Sequence, residues 1–129
     1  MNMRNFGIAE GRLTRDPEIF ANSDGSRKVM FTVASRRNFK NADGKNDSDF
    51  IGLEAFVSAD KQTNGVYDLM HKGDLVGVHY TVRSSTYTDK NSGETKYKQT
   101  FLVQEVDLKE SKATTDARAQ ATAAAPAEA

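Results

Sequence analysis

Residues 28–34 read Lys-Val-Met-Phe-Thr-Val-Ala, with Val29, Phe31 and Val33 on alternate positions. A period of two places those three side chains on one face of an extended strand, whereas a helix would scatter them around its axis. Lys28, Thr32 and Arg36 take the other face together with Met30 and Ala34. The same rhythm recurs along the chain. Phe6 and Ile8 begin a strand that reaches Leu13. From Phe50 to Val57, Ile51, Leu53 and Ala55 share one side, while Phe50, Gly52, Glu54 and Phe56 share the other. Val76, Val78, Tyr80 and Val82 line one face of Leu75–Arg83, and Phe101 and Val103 point inward from Tyr97–Leu108. Turn signals separate these runs: Asp16-Pro17, Asn22-Ser-Asp-Gly25, Asp43-Gly44 and the Asp89–Gly93 stretch. Asn38–Asp49 reads as a long polar loop able to close over a ligand.

One segment departs from the rhythm. Ser58 or Asp60 is placed to cap a short helix running to about His71, with Val66, Leu69 and Met70 as its buried stripe. Lys72-Gly73-Asp74 would end it, Gly73 suiting the left-handed cap position. Ile19 and Phe20 resume apolar character after Pro17 without an assigned role. The order is three strands, a short helix and two more strands. That grammar predicts an all-β OB-fold, a five-stranded Greek-key barrel with one short helix between strands 3 and 4. Residues 1–110 form this domain in that reading. From Ser111 the composition turns to Ala, Thr and Gln, so 111–129 is expected to be a disordered Ala/Thr-rich tail.

Composition excludes several classes of function. The chain has no cysteine, hence neither disulfides nor thiolate metal sites. No apolar run approaches the roughly 20 residues of a membrane span, and Met1–Glu10 carries no secretory h-region. His71 and His79 are too differently placed for a metal pair. Asp47 and Asp49 lie in a polar loop without a histidine or nucleophile nearby, so acid–base chemistry has no constellation behind it. The expectation is a cytoplasmic, non-enzymatic protein without cofactor or metal.

What remains is a set of rings among cations. Phe39, Phe50, Phe56, Tyr87 and Tyr97 fall on strands and loops. Arg27, Lys28, Arg36, Arg37 and Lys40 cluster between residues 27 and 40, where there is no acid. Arg83, Lys96 and Lys98 complete the candidate phosphate partners. Rings stack on unpaired bases and cations neutralise phosphates, the combination used in binding single-stranded nucleic acid. The net charge of +0 requires the cations to be segregated if they are to act together. Charge alone favours ordinary solvated strand edges. Phe50 and Phe56 could equally be core residues of a barrel packed on both sides, and Tyr97 could be the cross-strand partner of Tyr87.

The segment Gly11-Arg-Leu-Thr-Arg-Asp-Pro-Glu18 resembles the first-strand signature of the bacterial single-stranded DNA-binding protein family. The resemblance continues through Val29-Met-Phe-Thr-Val-Ala-Ser35, Phe50, Phe56, Lys72-Gly73-Asp74, Arg83, Tyr87-Thr-Asp89, Gly93 and Tyr97, covering about residues 5–108. It implies an OB-fold, a single-stranded DNA partner and a homo-oligomer, dimer or tetramer. It also implies stacking roles for Phe39, Phe50, Phe56 and Tyr87, a basic contact at Arg83, and hairpin closure by Tyr97.

The departures from the family pattern are specific. The chain has no Trp at its stacking positions. Glu54 and Ser85 stand where cations are common, Tyr80 replaces a glycine, and Ile51 replaces a polar residue near a subunit interface. The chain ends Ala-Pro-Ala-Glu-Ala where the family carries an acidic tip ending in Pro-Phe. That ending implies a divergent plasmid- or phage-type member that protects DNA in replication, recombination or transfer of a mobile element without recruiting host repair enzymes. The rival readings are a general DNA binder with little preference between single strand and duplex, and a protein-interaction OB module of a DNA-processing complex.

Overall fold

The computed structural model describes residues 3–110. The expectations for the tail at 111–129, and for the first two residues of the N-terminal arm, lie outside the described residues. Six strands follow in order: β1 (Gly7–Leu13), β2 (Glu18–Ala21), β3 (Arg27–Lys40), β4 (Asn46–Val57), β5 (Leu75–Thr88) and β6 (Thr95–Leu108). They form one sheet in the order β1-β5-β6-β4-β3-β2, and a further β1–β3 pairing closes the ring. The closed barrel is therefore β1, β3, β4, β6 and β5, with β2 laid on the outside of β3. All contacts are antiparallel except β4 against β6, which meet in parallel at Glu54 and Leu102. This is the five-stranded OB barrel.

Closure depends on Gly11. A Cβ at that position would lie 2.1 Å from the Ala34 carbonyl oxygen, so β1 reaches β3 only because no side chain intervenes. Just beyond, Arg12 and Leu13 pair with Ala34 and Val33. Pro17, which has no N–H to give to a ladder, breaks the chain there. The chain re-enters as β2, where Glu18–Ala21 pair with Met30 back to Arg27. Ile19 and Phe20 are thus a separate short strand instead of loop apolars.

Leu13, Val29, Phe31, Val33, Leu53, Ala55, Val57, Met70, Val76 and Val78 form the core. The alternation in β3 and β4 supplies six of these ten, as the sequence period predicts. Tyr80, Phe101 and Val103 pack against them. The Tyr80 ring lies over Gly7, where a Cβ would come within 2.4 Å of it, and its centroid is 5.0 Å from that of Phe101.

Two sequence expectations change. The helix over 58–71 shrinks to a single 3-10 turn at Gly65–Leu69. Arg27 explains this: its guanidinium donates to the carbonyls of Lys61 at 2.8 Å and Thr63 at 3.1 Å, acceptors a helix would have used itself. Gly65 adopts φ +61 inside the expected helix, and the Ser58 hydroxyl binds Asp60. Of the predicted stripe only Met70 is buried; Leu69 is exposed. The polar loop at 38–49 is instead the tip of a long hairpin, turning only at 41–45. Asn46 drives this, donating from Nδ2 to the carbonyls of Arg37 at 2.8 Å and Phe39 at 3.2 Å.

Candidate nucleic-acid interface

The register of β2, β3 and β4 builds one outward face in rows. Phe20, Lys28 and Phe56 stand side by side across the three strands. Glu18, Met30 and Glu54 make the next row, followed by Thr32 with Gly52 and Ala34 with Phe50. Opposite residues of a ladder share a face, and the other face holds Val29, Phe31, Leu53 and Ala55 of the core. Phe50 is 71% exposed and Phe56 60% exposed, on strands whose intervening residues Leu53 and Ala55 are buried. The core reading of these two rings is therefore overturned. Six residue steps along the strand separate them, about 20 Å. Between them a Cβ on Gly52 would meet nothing within 4 Å, so the floor is open.

The β5–β6 hairpin continues this face. Glu54 meets Leu102, Leu102 opposes Thr81, and the ladder runs unbroken from there to Thr88 and Thr95. Arg83 with Thr100, Ser85 with Lys98, and Tyr87 with Lys96 lie on the same side as Glu54. Tyr97 opposes Thr86 and so projects from the opposite side. The pairing of Tyr97 with Tyr87 is corrected on that ground; both rings are exposed, on different faces. Phe39 sits at the end of the β3–β4 arm, with the Arg37 guanidinium 5.9 Å from its centroid.

The predicted cations divide by what holds them. Arg27 is committed to the 61–64 segment, with a further bond of 2.6 Å from Nε to Asn64 Oδ1, and the structure does not bring it to the aromatic face. Arg37 grips Asp49 in a fork, Nη2 to Oδ1 at 2.8 Å and Nε to Oδ2 at 3.1 Å. The hydrogen bond between them holds the Asp49 carboxyl below its usual range and raises the guanidinium pKa. Lys96 pairs with Asp89 at 3.0 Å. The Asn91 backbone N–H and Lys96 together depress the Asp89 pKa. Lys28 lies 3.3 Å and Lys98 4.0 Å from one oxygen of Glu54. Arg36 donates to Asn46 Oδ1 at 3.1 Å. Lys40 and Arg83 make no ion pair among the described residues.

Three participants were not visible as such in the sequence. Phe20, exposed beside Lys28, adds a ring to the face, and only the β2 register reveals it. Arg15 and Glu18, paired at 3.5 Å, line a groove of about 320 Å³ with Met30, Gly52, Glu54 and Lys98. Among the described residues no three His, Cys, Asp or Glu side chains are grouped to hold a metal ion.

The sequence matches the model of the single-strand binding protein family over residues 5–109. It is 35% identical over 114 residues to Single-stranded DNA-binding protein 1 of Staphylococcus aureus strain MSSA476, which covers 88% of this chain and 70% of that protein. To the Single-stranded DNA-binding protein of S. aureus strain MRSA252 it is 34% identical, with the same coverage. The Single-stranded DNA-binding protein of Lactiplantibacillus plantarum is 34% identical over 111 residues, 86% of this chain and 54% of that protein.

Proposed function

The chain belongs to the single-strand binding protein family, its ligand is single-stranded DNA, and we propose that it holds the strand by stacking unpaired bases on Phe50, Phe56 and Tyr87. The observation that carries this reading is the outward exposure of Phe50 and Phe56 from strands whose alternate residues are core. Exposed rings on a sheet add little to folding, and an unpaired base offers them a flat apolar partner. Each stack contributes about 1–3 kcal/mol and tolerates any base. A duplex keeps its bases stacked on one another and cannot use the rings, so the face discriminates strand from duplex. Phe20 extends the row beyond Phe56; Phe39, next to Lys40 and under Arg37, stands on the Asp49 side of the arm and would serve a strand that wraps around it. Tyr97 would serve a strand that wraps around the hairpin to its other side.

Phosphates would meet Arg36, Lys40 and Arg83. Arg37 and Lys96 would join them by exchanging Asp49 and Asp89 for phosphate. Each exchange swaps one exposed anion for another, which limits its net gain. The role is non-enzymatic: protection of exposed strand in cytoplasmic replication or recombination. The protein would act as a homo-oligomer, joined across the outward side of β1, where Ile8 is exposed.

A competition titration tests the strand preference. Fluorescently labelled oligothymidine, followed by anisotropy, should bind and be displaced by unlabelled single strand, but not by an equal amount of its duplex. Equal displacement by duplex would refute the stacking mechanism.

A further inference from the structure

Glu54 lies in the middle of the aromatic face, between the Phe50 and Phe56 positions of the same strand, yet its side chain is only 14% exposed. A carboxylate that far out of water needs cations, and it has two. Lys28 reaches the same oxygen from β3 at 3.3 Å, and Lys98 approaches it from β6 at 4.0 Å. The three strands of the groove therefore converge on one acid. The rim repeats the arrangement, with Arg15 paired to Glu18 at 3.5 Å in the row next to Lys28. Both ammonium groups sit beside Glu54, between the strand positions of Phe50 and Phe56.

We propose that Glu54 is a built-in counter-ion that withholds Lys28 from phosphate and weakens the hold of the more exposed Lys98, so that the strand between Phe50 and Phe56 is held mainly by stacking. The inference rests on the strand-binding reading above. A phosphate entering this gap meets a fixed negative charge within a few ångströms of both cations, and in the partly desolvated groove that repulsion is only weakly screened. Glu54 is not free to leave. Its ladder neighbours are Met30 and Leu102, and moving it strands two cations without a partner. The consequence is specific: binding at the centre of the face depends on salt less steeply than its two lysines would give, and most of the salt dependence comes from the hairpin arms.

The test is the salt dependence of oligothymidine binding, by the full chain and by Glu54→Gln, read from tyrosine quenching. Each additional phosphate contact on a single strand steepens the slope of log K against log salt by about 0.7. Glu54→Gln should bind more tightly at low salt and steepen the slope by about 0.7–1.4. Lys28→Met should leave the slope unchanged in the natural background, yet reverse about half of the steepening in the Glu54→Gln background. A Glu54→Gln protein that melts normally but keeps the natural slope overturns the proposal. So does a Lys28→Met single variant that flattens the natural slope, and that variant carries the test alone if Glu54→Gln fails to fold. Absence of binding by the unaltered chain would overturn the strand-binding reading as well, which separates the two failures.

Discussion

Phe50→Ala removes a ring that is 71% exposed and whose ladder partner on β3 is only Ala34. Little packing is lost: a cross-strand pair of this kind contributes about 0.2–1 kcal/mol, so stability should fall by less than about 1 kcal/mol. The loss in binding is larger. One base stack of about 1–3 kcal/mol corresponds to a roughly 5- to 150-fold rise in Kd for oligothymidine. Phe31→Ala supplies the contrast. That ring is 3% exposed, on the core side of the same β3–β4 pair, with its centroid 6.1 Å from that of Tyr67. Its removal should cost about 3–5 kcal/mol of stability and leave the affinity of the folded fraction little changed. Urea unfolding of both variants, followed by tyrosine-quenching titrations under conditions where each is folded, measures all four quantities. If Phe50→Ala lost stability like Phe31→Ala and bound as well as the natural chain, the assignment of the two faces to core and ligand would fail.

Arg27→Met should lose about 1.5–3 kcal/mol through its charged hydrogen bonds and speed amide exchange across 58–69, with no change in the salt slope of binding. A flattened slope would show that Arg27 reaches phosphate after all. Gly11→Ala pushes a methyl group to 2.1 Å from the Ala34 carbonyl and should destabilise by about 1–3 kcal/mol or more in urea; an unchanged midpoint would refute the role of Gly11 in barrel closure. The depressed pKa of Asp49 supports the β3–β4 arm at every pH above its ordinary value of 3.8, and that support is lost as pH falls through the lower folded value. The Arg37 Nε–H NMR signal should therefore hold steady from neutral pH to about 4 and move only below it; a transition near neutrality would contradict the Arg37–Asp49 fork.

The barrel was legible wherever a face could be read from one strand alone. Val29, Phe31 and Val33 announce a buried side by their spacing, and Phe50 and Phe56 stand out because they oppose Leu53 and Ala55 on a single strand. What a single strand could not reveal was anything set by pairing. Tyr97 and Tyr87 part company because the turn brings Thr95 opposite Thr88, and a shift of one residue would have put both rings on one side. Glu54 reads as a lone acid until β3 and β6 bring Lys28 and Lys98 to it. Residues 58–71 have tolerable helix spacing, and the guanidinium that unravels them comes from Arg27, more than 30 residues earlier.

Photo-cross-linking of oligothymidine to the full chain, with the attachment sites located by mass spectrometry, addresses the stacking face most directly. Adducts should concentrate at Phe50, Phe56 and Tyr87, with Phe20 and Phe39 as weaker sites. Adducts confined to residues on the far side of the β5–β6 hairpin, with Phe50 and Phe56 unmodified, would contradict the account.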